Sequence, residues 1–230
     1  LGENRTYLPG ITLPLNLECT TDMETALCDA DVVLSVSPSQ FVGTVMGEAA
    51  AYIRDDALVV SASKGIDTST LRRMDEVLSS VLGPAQMKGF SALSGPSFAI
   101  EVAQEAPTTV VVASSLEAAA LQVQELFQTG YFRVYTGTDV VGVELGGALK
   151  NIIAVGAGVI DGLGYGDNAK AAFMTRGLAE IARLGVASGA DHMTLSGLAG
   201  MGDLIATCAS KLSRNHYVGE QLAKGRKLDE

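Results

Sequence analysis

The stretch ADVVLSVSPSQFVGTVMGEAAAYIRDDALVVSASKG, residues 30–65, decides the fold. It opens on a β-branched run that stops at Pro38. A segment with apolar residues at three-to-four spacing follows, and then a second β-branched run ending in small residues at Gly65. That is strand, helix, strand. The form continues with FSALSGPSFA (90–99), TTVVVASS (108–115) and YFRVYTG (131–137) as strand-bearing segments. STLRRMDEVLSSVLG and SLEAAALQVQELFQTG supply further helical patterns. Each of the three helical patterns begins near a Ser or Thr that can cap it, and two end at Gly. Strands uncut by polar residues and separated by helices read as a parallel sheet with helices on its faces. Ligands bind beyond the carboxyl ends of strands in such sheets. Those ends here are SVSPSQF, SASKG and LSGPSFA.

The texture changes near residue 138. From Asp139 on no strand-like run occurs, and DVVGVELGGALKNIIAVGAGVIDGLGYG and DNAKAAFMTRGLAEIARLGVASG read as long helices. The expected class is α/β: a Rossmann-like, mostly parallel sheet, truncated at its N-terminus, followed by an all-helical domain. The expected boundaries are 1–137 for a partial dinucleotide-binding domain and 138–230 for a helical substrate and catalytic domain.

Composition narrows the function. The chain has 230 residues, 47% of them apolar and 18% charged, so it has material for a core and not the signature of disorder. A net charge of -10 argues against nucleic acid or an anionic membrane surface as a partner, while leaving room for a small anion at a local cation cluster. Three cysteines, Cys19, Cys28 and Cys208, have no CxxC spacing, so neither a disulfide framework nor a metal site is expected, and the thiols read as buried or inert in a reducing compartment. Only His192 and His216 are present, so a histidine triad is not expected. No secretory leader is visible, and the opening LGENRTYLPG, which lacks an initial Met, reads as a loop in the middle of a longer chain. Val141 to Ile160 has the length of a membrane span. Glu144 and Lys150 within it would each cost about 2.5–3.5 kcal/mol at a bilayer centre, so a packed soluble helix is the better reading.

Several polar residues carry two readings each. Lys150 is either a snorkelling lysine at the edge of a core helix or a site residue that meets an anion or has its pKa lowered, since Gly146, Gly147 and Ala148 leave room for a ligand or another backbone. Lys64 is either a loop lysine or a ligand contact at a strand end. Ser97 is a helix cap, alone or beside backbone N–H groups that meet an anion. The glycines of GLAGMGDL (197–204) read as helix packing around one buried acid, Asp203, rather than as a phosphate loop, because no strand precedes them. Arg214, behind a capping Ser213, is either a surface arginine or a bidentate phosphate ligand. Lys64, Lys150, Asn151, Asp203, Arg214 and Asn215 together suit an anion-holding, proton-donating site in a cleft between the two parts.

These motifs resemble a known family. SASKG, SGPSFA, GVELGGALKNIIAVGAGVIDGLGYGDNAKAA, GMGDL and SRN, in that order, look like the NAD(P)-dependent glycerol-3-phosphate dehydrogenases of bacterial type. The resemblance implies interconversion of dihydroxyacetone phosphate and sn-glycerol 3-phosphate with NAD or NADP, for phospholipid synthesis in the cytoplasm. It implies that Lys150 is the catalytic lysine, supported by Asp203. It implies substrate contacts from Lys64, Gly95, Ser97, Asn151, Thr207, Ser213, Arg214 and Asn215, and cofactor contacts from Phe41, Lys64, Ala99 and Arg214. The implied partner is a small phosphorylated substrate, with no nucleic acid, membrane or metal, and with a homodimer as one option for assembly. The family opens with a glycine-rich dinucleotide turn and continues past SRN, and neither segment is in this sequence. The resemblance therefore implies a fragment that binds NAD(P)H poorly by itself. The alternatives are a related hydroxyacid or phosphogluconate dehydrogenase, or an inactive remnant.

Overall fold

A computed structural model of the chain describes residues 2–228. The chain starts with a two-stranded hairpin, β1 (Glu3–Asn4) and β2 (Leu8–Thr12), where the sequence pattern reads as a loop. A one-turn helix α1 (Met23–Leu27) leads to β3 (Val32–Ser35), α2 (Ser39–Ala49) and β4 (Leu58–Ser61). Then come α3 (Met74–Val81), α4 (Pro84–Met87), β5 (Ser91–Ser94), α5 (Ala99–Ala103), β6 (Thr108–Ala113), α6 (Glu117–Phe127) and β7 (Phe132–Gly137). The helical part comprises α7 (Val140–Gly162), α8 (Asp167–Ala187), α9 (His192–Leu195), a π-helical turn (Leu198–Gly202), α10 (Asp203–Ala209) and α11 (Arg214–Ala223).

The five expected strands pair in chain order, β3-β4-β5-β6-β7. Three pairings are parallel, but β5 and β6 run antiparallel, with Ser94 opposite Val111. Between β5 and β6 the only helix is the five-residue α5, shorter than the crossover helices α2, α3 and α6 that join the parallel pairs. The β-branched alternation places Val59 on one face, with Val33 and Ala92, against Val42 and Met46 of α2 and Met74, Val77 and Leu78 of α3. Val60, Val110, Val112 and Val134 face the other way, onto Ala120 and Val123 of α6. Both faces are covered at the central strands β4, β5 and β6, which is why these carry no charged residues.

The expected helix caps are not used. The residue before α2 is Pro38 and that before α6 is Leu116, and neither makes a side-chain cap. α3 starts five residues later than STLRRMDEVLSSVLG suggests, behind Arg73, whose N–H donates to the Glu76 carboxylate at 2.9 Å. Ser97 does not cap α5 either; its hydroxyl donates to the Gly95 carbonyl at 3.1 Å, and Phe98 occupies the cap position. Tertiary packing of the apolar faces sets these helix starts more than local capping does. Cys208 is buried as expected, but Cys19 and Cys28 are exposed.

α7 is the axis of the helical part and the one described helix with the length and hydropathy of a membrane span. It packs on α8, α10 and α11, with Ala154 and Ala157 fully buried. Its Val143 and the neighbouring Ala199 join the core cluster of the sheet, so the two parts share apolar surface. Close approach is built from glycines. A Cβ on Gly158 of α7 would lie 2.0 Å from the His216 carbonyl oxygen, and one on Gly219 of α11 would lie 1.9 Å from that of Val155. The two helices therefore cross backbone to backbone, where no side chain can yield.

A pair of substitutions tests this. Gly158→Ala should lower stability by about 1–3 kcal/mol, because overpacking outweighs the better helix propensity of alanine. Gly47→Ala on α2, whose Cβ would stand 3.7 Å from Val81, should be neutral or stabilising by up to about 1 kcal/mol. Urea unfolding of both variants checks the order, and a Gly158→Ala as stable as the parent would rule out the close crossing.

Candidate active site

The carboxyl ends of β3, β4 and β5 and the first turn of α11 enclose a cavity of about 590 Å³. Its lining includes Pro38, Ser63, Lys64, Ser94, Ser97 and Arg214. Beneath it the sheet and the helical part meet through one carboxylate. Asp203, 2% exposed, opens α10 just after the π-helical turn. Its Oδ2 accepts from Lys64 Nζ at 2.7 Å, and its Oδ1 accepts from Lys150 Nζ. Lys150 Nζ also donates to Thr207 Oγ1 at 2.9 Å, and the Thr207 hydroxyl donates to the Asp203 carbonyl at 2.6 Å. Lys64 Nζ donates in addition to the Gly95 carbonyl at 2.9 Å.

Each position follows from local structure. Lys64 leaves β4 in the turn Ser63-Lys64-Gly65, so its amine reaches across the sheet end. Gly95 has φ of +139°, and a Cβ there would lie 2.9 Å from Val110 Cα, so the turn after β5 admits only glycine without strain. Gly147 gives α7 room beside Lys64, since a Cβ would stand 2.8 Å from Ser94 Oγ and 3.4 Å from Lys64 Cγ. Gly146 does the same against the π-helical turn, 2.6 Å from the Ala199 carbonyl oxygen. One turn further on, Lys150 faces Asp203. The π-helical turn widens the helix by one residue and delivers Asp203 to both amines, a placement typical of π-bulges at functional sites.

Burial and the neighbouring Lys64 ammonium lower the Lys150 pKa from 10.5 to about 8, against the pull of Asp203. The two alternatives of the site reading thus combine: Lys150 meets an anion, and its proton is loosened. Such an amine gives up and regains a proton near neutral pH far more readily than a surface lysine.

The remaining expected residues fall in three places. Ser97 and Arg214 line the cavity, and Arg214 is exposed at the N-terminus of α11, where Ser213 Oγ accepts from the His216 N–H at 3.2 Å. Asn215 Nδ2 donates to Asn151 Oδ1 at 2.8 Å, tying α11 to α7 next to Lys150. Phe41 and Ala99 stand outside the lining; Phe41 is exposed on the first turn of α2, and Ala99 is exposed at the start of α5. Sequence reasoning missed Ser94, whose buried hydroxyl lines the cavity with no hydrogen-bond partner among the described residues. It missed His216 too, which joins Asp161 at 2.8 Å, with Lys170 on the same carboxylate at 2.9 Å, and so braces α11 against α7 and α8. No group of three or more His, Cys, Asp or Glu able to hold a metal ion occurs among the described residues.

Comparison with known proteins gives the family. The family profile described as NAD-dependent glycerol-3-phosphate dehydrogenase N-terminus matches residues 2–120, and that of the C-terminus matches residues 139–230. The chain is 54% identical over 228 residues to glycerol-3-phosphate dehydrogenase [NAD(P)+] of Geobacter sp. strain M21, covering 99% of this chain and 68% of that protein. The corresponding protein of Enterococcus faecalis is 52% identical over 227 residues, with 99% and 67% covered. The crystal structure of glycerol-3-phosphate dehydrogenase from Coxiella burnetii superposes with a TM-score of 0.94 at 36% identity, covering 99% of this chain and 69% of that one. The chain therefore spans about two thirds of the length of these relatives.

The depressed Lys150 pKa makes a stability prediction. The unfolded chain holds that proton up to about 10.5 and the folded chain only up to about 8, so between these values the unfolded state binds more protons and this group's contribution to stability rises with pH. Relative to Lys150→Met, the wild type should gain about 3 kcal/mol across that window. Urea titrations of both proteins at the two ends of the window measure it, and a constant difference would refute the shift.

Proposed function

The chain belongs to the NAD-dependent glycerol-3-phosphate dehydrogenase family, and we propose on that basis that it interconverts dihydroxyacetone phosphate and sn-glycerol 3-phosphate with NAD or NADP, serving glycerophospholipid synthesis. The observation that carries the reading is the single buried carboxylate that holds two lysines together, Lys64 in the cavity lining and Lys150 behind it. Bound NAD(P)H supplies the hydride. The cavity suits the reactive end of such a cofactor: it opens at the strand ends, and the buried Ser94 hydroxyl facing it is free to bind.

In the reducing direction Lys150 gives its proton to the carbonyl oxygen as hydride reaches the carbonyl carbon, so that the C=O becomes CH–OH. In reverse it takes that proton back. Lys64 stabilises negative charge developing on the same oxygen, and Asp203 keeps the two cations together at a spacing they would not otherwise tolerate. Arg214, Asn215 and the N-terminus of α11 hold the phosphate, while Gly95, Ser97, Asn151, Thr207 and Ser213 shape the pocket around the substrate. Phe41 and Ala99, outside the cavity lining, would contact the cofactor beyond its reactive end. We place the boundary between the dinucleotide-binding and helical domains at residues 137 and 138, where β7 ends just before α7. A cytoplasmic location and a homodimer complete the proposal; exposed Ile152, Met193 and Ile205 on the helical part support the latter.

Oxidation of NADH and NADPH by the natural full-length protein, with dihydroxyacetone phosphate, is the test. Lys150→Ala should reduce turnover by roughly 10²–10⁴-fold, the range for a positioned acid–base group. A wild type that ignores the substrate would sink the proposal, and a Lys150→Ala with near-normal turnover would remove the role of that lysine. Arg214→Ala should raise the substrate KM by about tenfold or more, which corresponds to at least about 1.4 kcal/mol of phosphate binding. An unchanged KM would take Arg214 out of the phosphate site.

A further inference from the structure

A second buried carboxylate lies on α7, outside the cavity. Glu144 is 8% exposed and sits six residues before Lys150. It does not face its own helical domain. Its two oxygens accept from the backbone N–H of Asp75, at 3.0 and 3.2 Å, in the first turn of α3. α3 needs that acceptor. Arg73 at its cap position has no oxygen with which to cap it, and Glu76 is occupied with the Arg73 N–H. The first amides of a helix have no partner within it, so α7 supplies one from across the domain junction.

The surroundings bear on both ends of the link. Arg73 faces Glu144 with its Nε 3.8 Å from Oε2, and its Nη2 lies 3.1 Å from Asp75 Oδ2. That Nε is buried with no hydrogen-bond partner among the described residues. Glu144, Gly147 and Lys64 line one small cavity of about 10 Å³, together with Ser61, Ser63 and Ser94. Nearly two turns of α7 therefore run from the Asp75 amide, past the stem of Lys64, to Lys150. Burial and the Asp75 carboxylate raise the Glu144 pKa to about 9, against the Asp75 N–H and Arg73. Its grip on the amide needs only an acceptor oxygen, which both protonation states keep.

We propose that Glu144 is a positioning residue: by docking α7 on the first turn of α3 it sets the register at which Gly147 and Lys150 meet Lys64 and Asp203. This rests on the proposed role of Lys150 only in its kinetic consequence. The groups that face Lys150 are Lys64 from the β4 turn and Asp203, Thr207 and Cys208 from α10, so a slip of α7 changes all four distances together. Water admitted by that slip would return the Lys150 pKa toward its ordinary value.

The experiment compares Glu144→Gln and Glu144→Ala. Gln keeps an acceptor at the same reach, and Ala removes it. Titration of lysine side chains by carbon-13 NMR in this chain reads the Lys150 pKa without any turnover. We expect the Gln variant to stay near the wild-type value of about 8 and the Ala variant to rise by about 1 unit or more. In the full-length enzyme, kcat should fall about tenfold or more in the Ala variant with the substrate KM little changed, and Gln should restore most of it. If Ala does not fold, Glu144→Asp makes the same cut, since its oxygens are drawn back by one methylene. A variant with lowered thermal stability but an unmoved Lys150 pKa overturns the proposal. An inactive wild type whose Lys150 pKa still responds overturns the proposed reaction instead.

Discussion

Everything at this site hangs on the charge of Asp203. Two ammonium groups brought together in a buried place repel each other, and each loses hydration. A carboxylate between them is what makes the pair tolerable, because its two oxygens offer one acceptor to each. The cost is not wholly removed, and the remainder appears as the lowered pKa of Lys150. That residual strain is chemically useful, since the amine that burial destabilises as a cation is the one poised to release a proton.

The fold supplies the geometry that this triad requires. Lys64 belongs to the turn after β4, Lys150 to the middle of α7, and Asp203 to the first turn of α10. Three unrelated pieces of chain must meet within hydrogen-bond distance. Glycines do this at the junctions: Gly146 and Gly147 let α7 lie against the π-helical turn and the Lys64 stem, and Gly158 and Gly219 let α11 cross α7 at backbone contact. Polar links hold the approach in register. Glu144 ties α7 to α3, Asn151 ties it to Asn215, and Asp161 ties it to His216. The charged residues of an otherwise apolar helix are thus all paired with groups on neighbouring elements, and this is why a segment with the hydropathy of a membrane span is the core helix of a folded domain.

Much of this was legible beforehand, and for physical reasons. Burial on both faces demands uninterrupted β-branched runs, so all five strands of the large sheet could be read from composition and spacing. The change of texture near residue 138 reflects a change from sheet packing to helix packing. Lys150 stood out because a cation in apolar, glycine-rich surroundings has few bland explanations. Glu144 carries the same signal in the same helix, but its sequence context shows only the cost it would add to membrane insertion. The Ser and Thr residues near helix starts misled, because apolar packing against the sheet set where those helices begin.

The sequence by itself determined the strand and helix content, the split in texture, the family resemblance and the identity of the residues bearing charge in apolar context. These are local properties, written in periodicity and residue type. Only the tertiary structure decided that β5 and β6 run antiparallel, that Ser97 turns back on Gly95 instead of capping α5, and that Lys64 and Lys150 share one acid from 139 and 53 residues away. Strand direction depends on how the connecting chain packs on the sheet, and a shared carboxylate depends on where distant backbones come to rest. Neither is carried by any single stretch of chain.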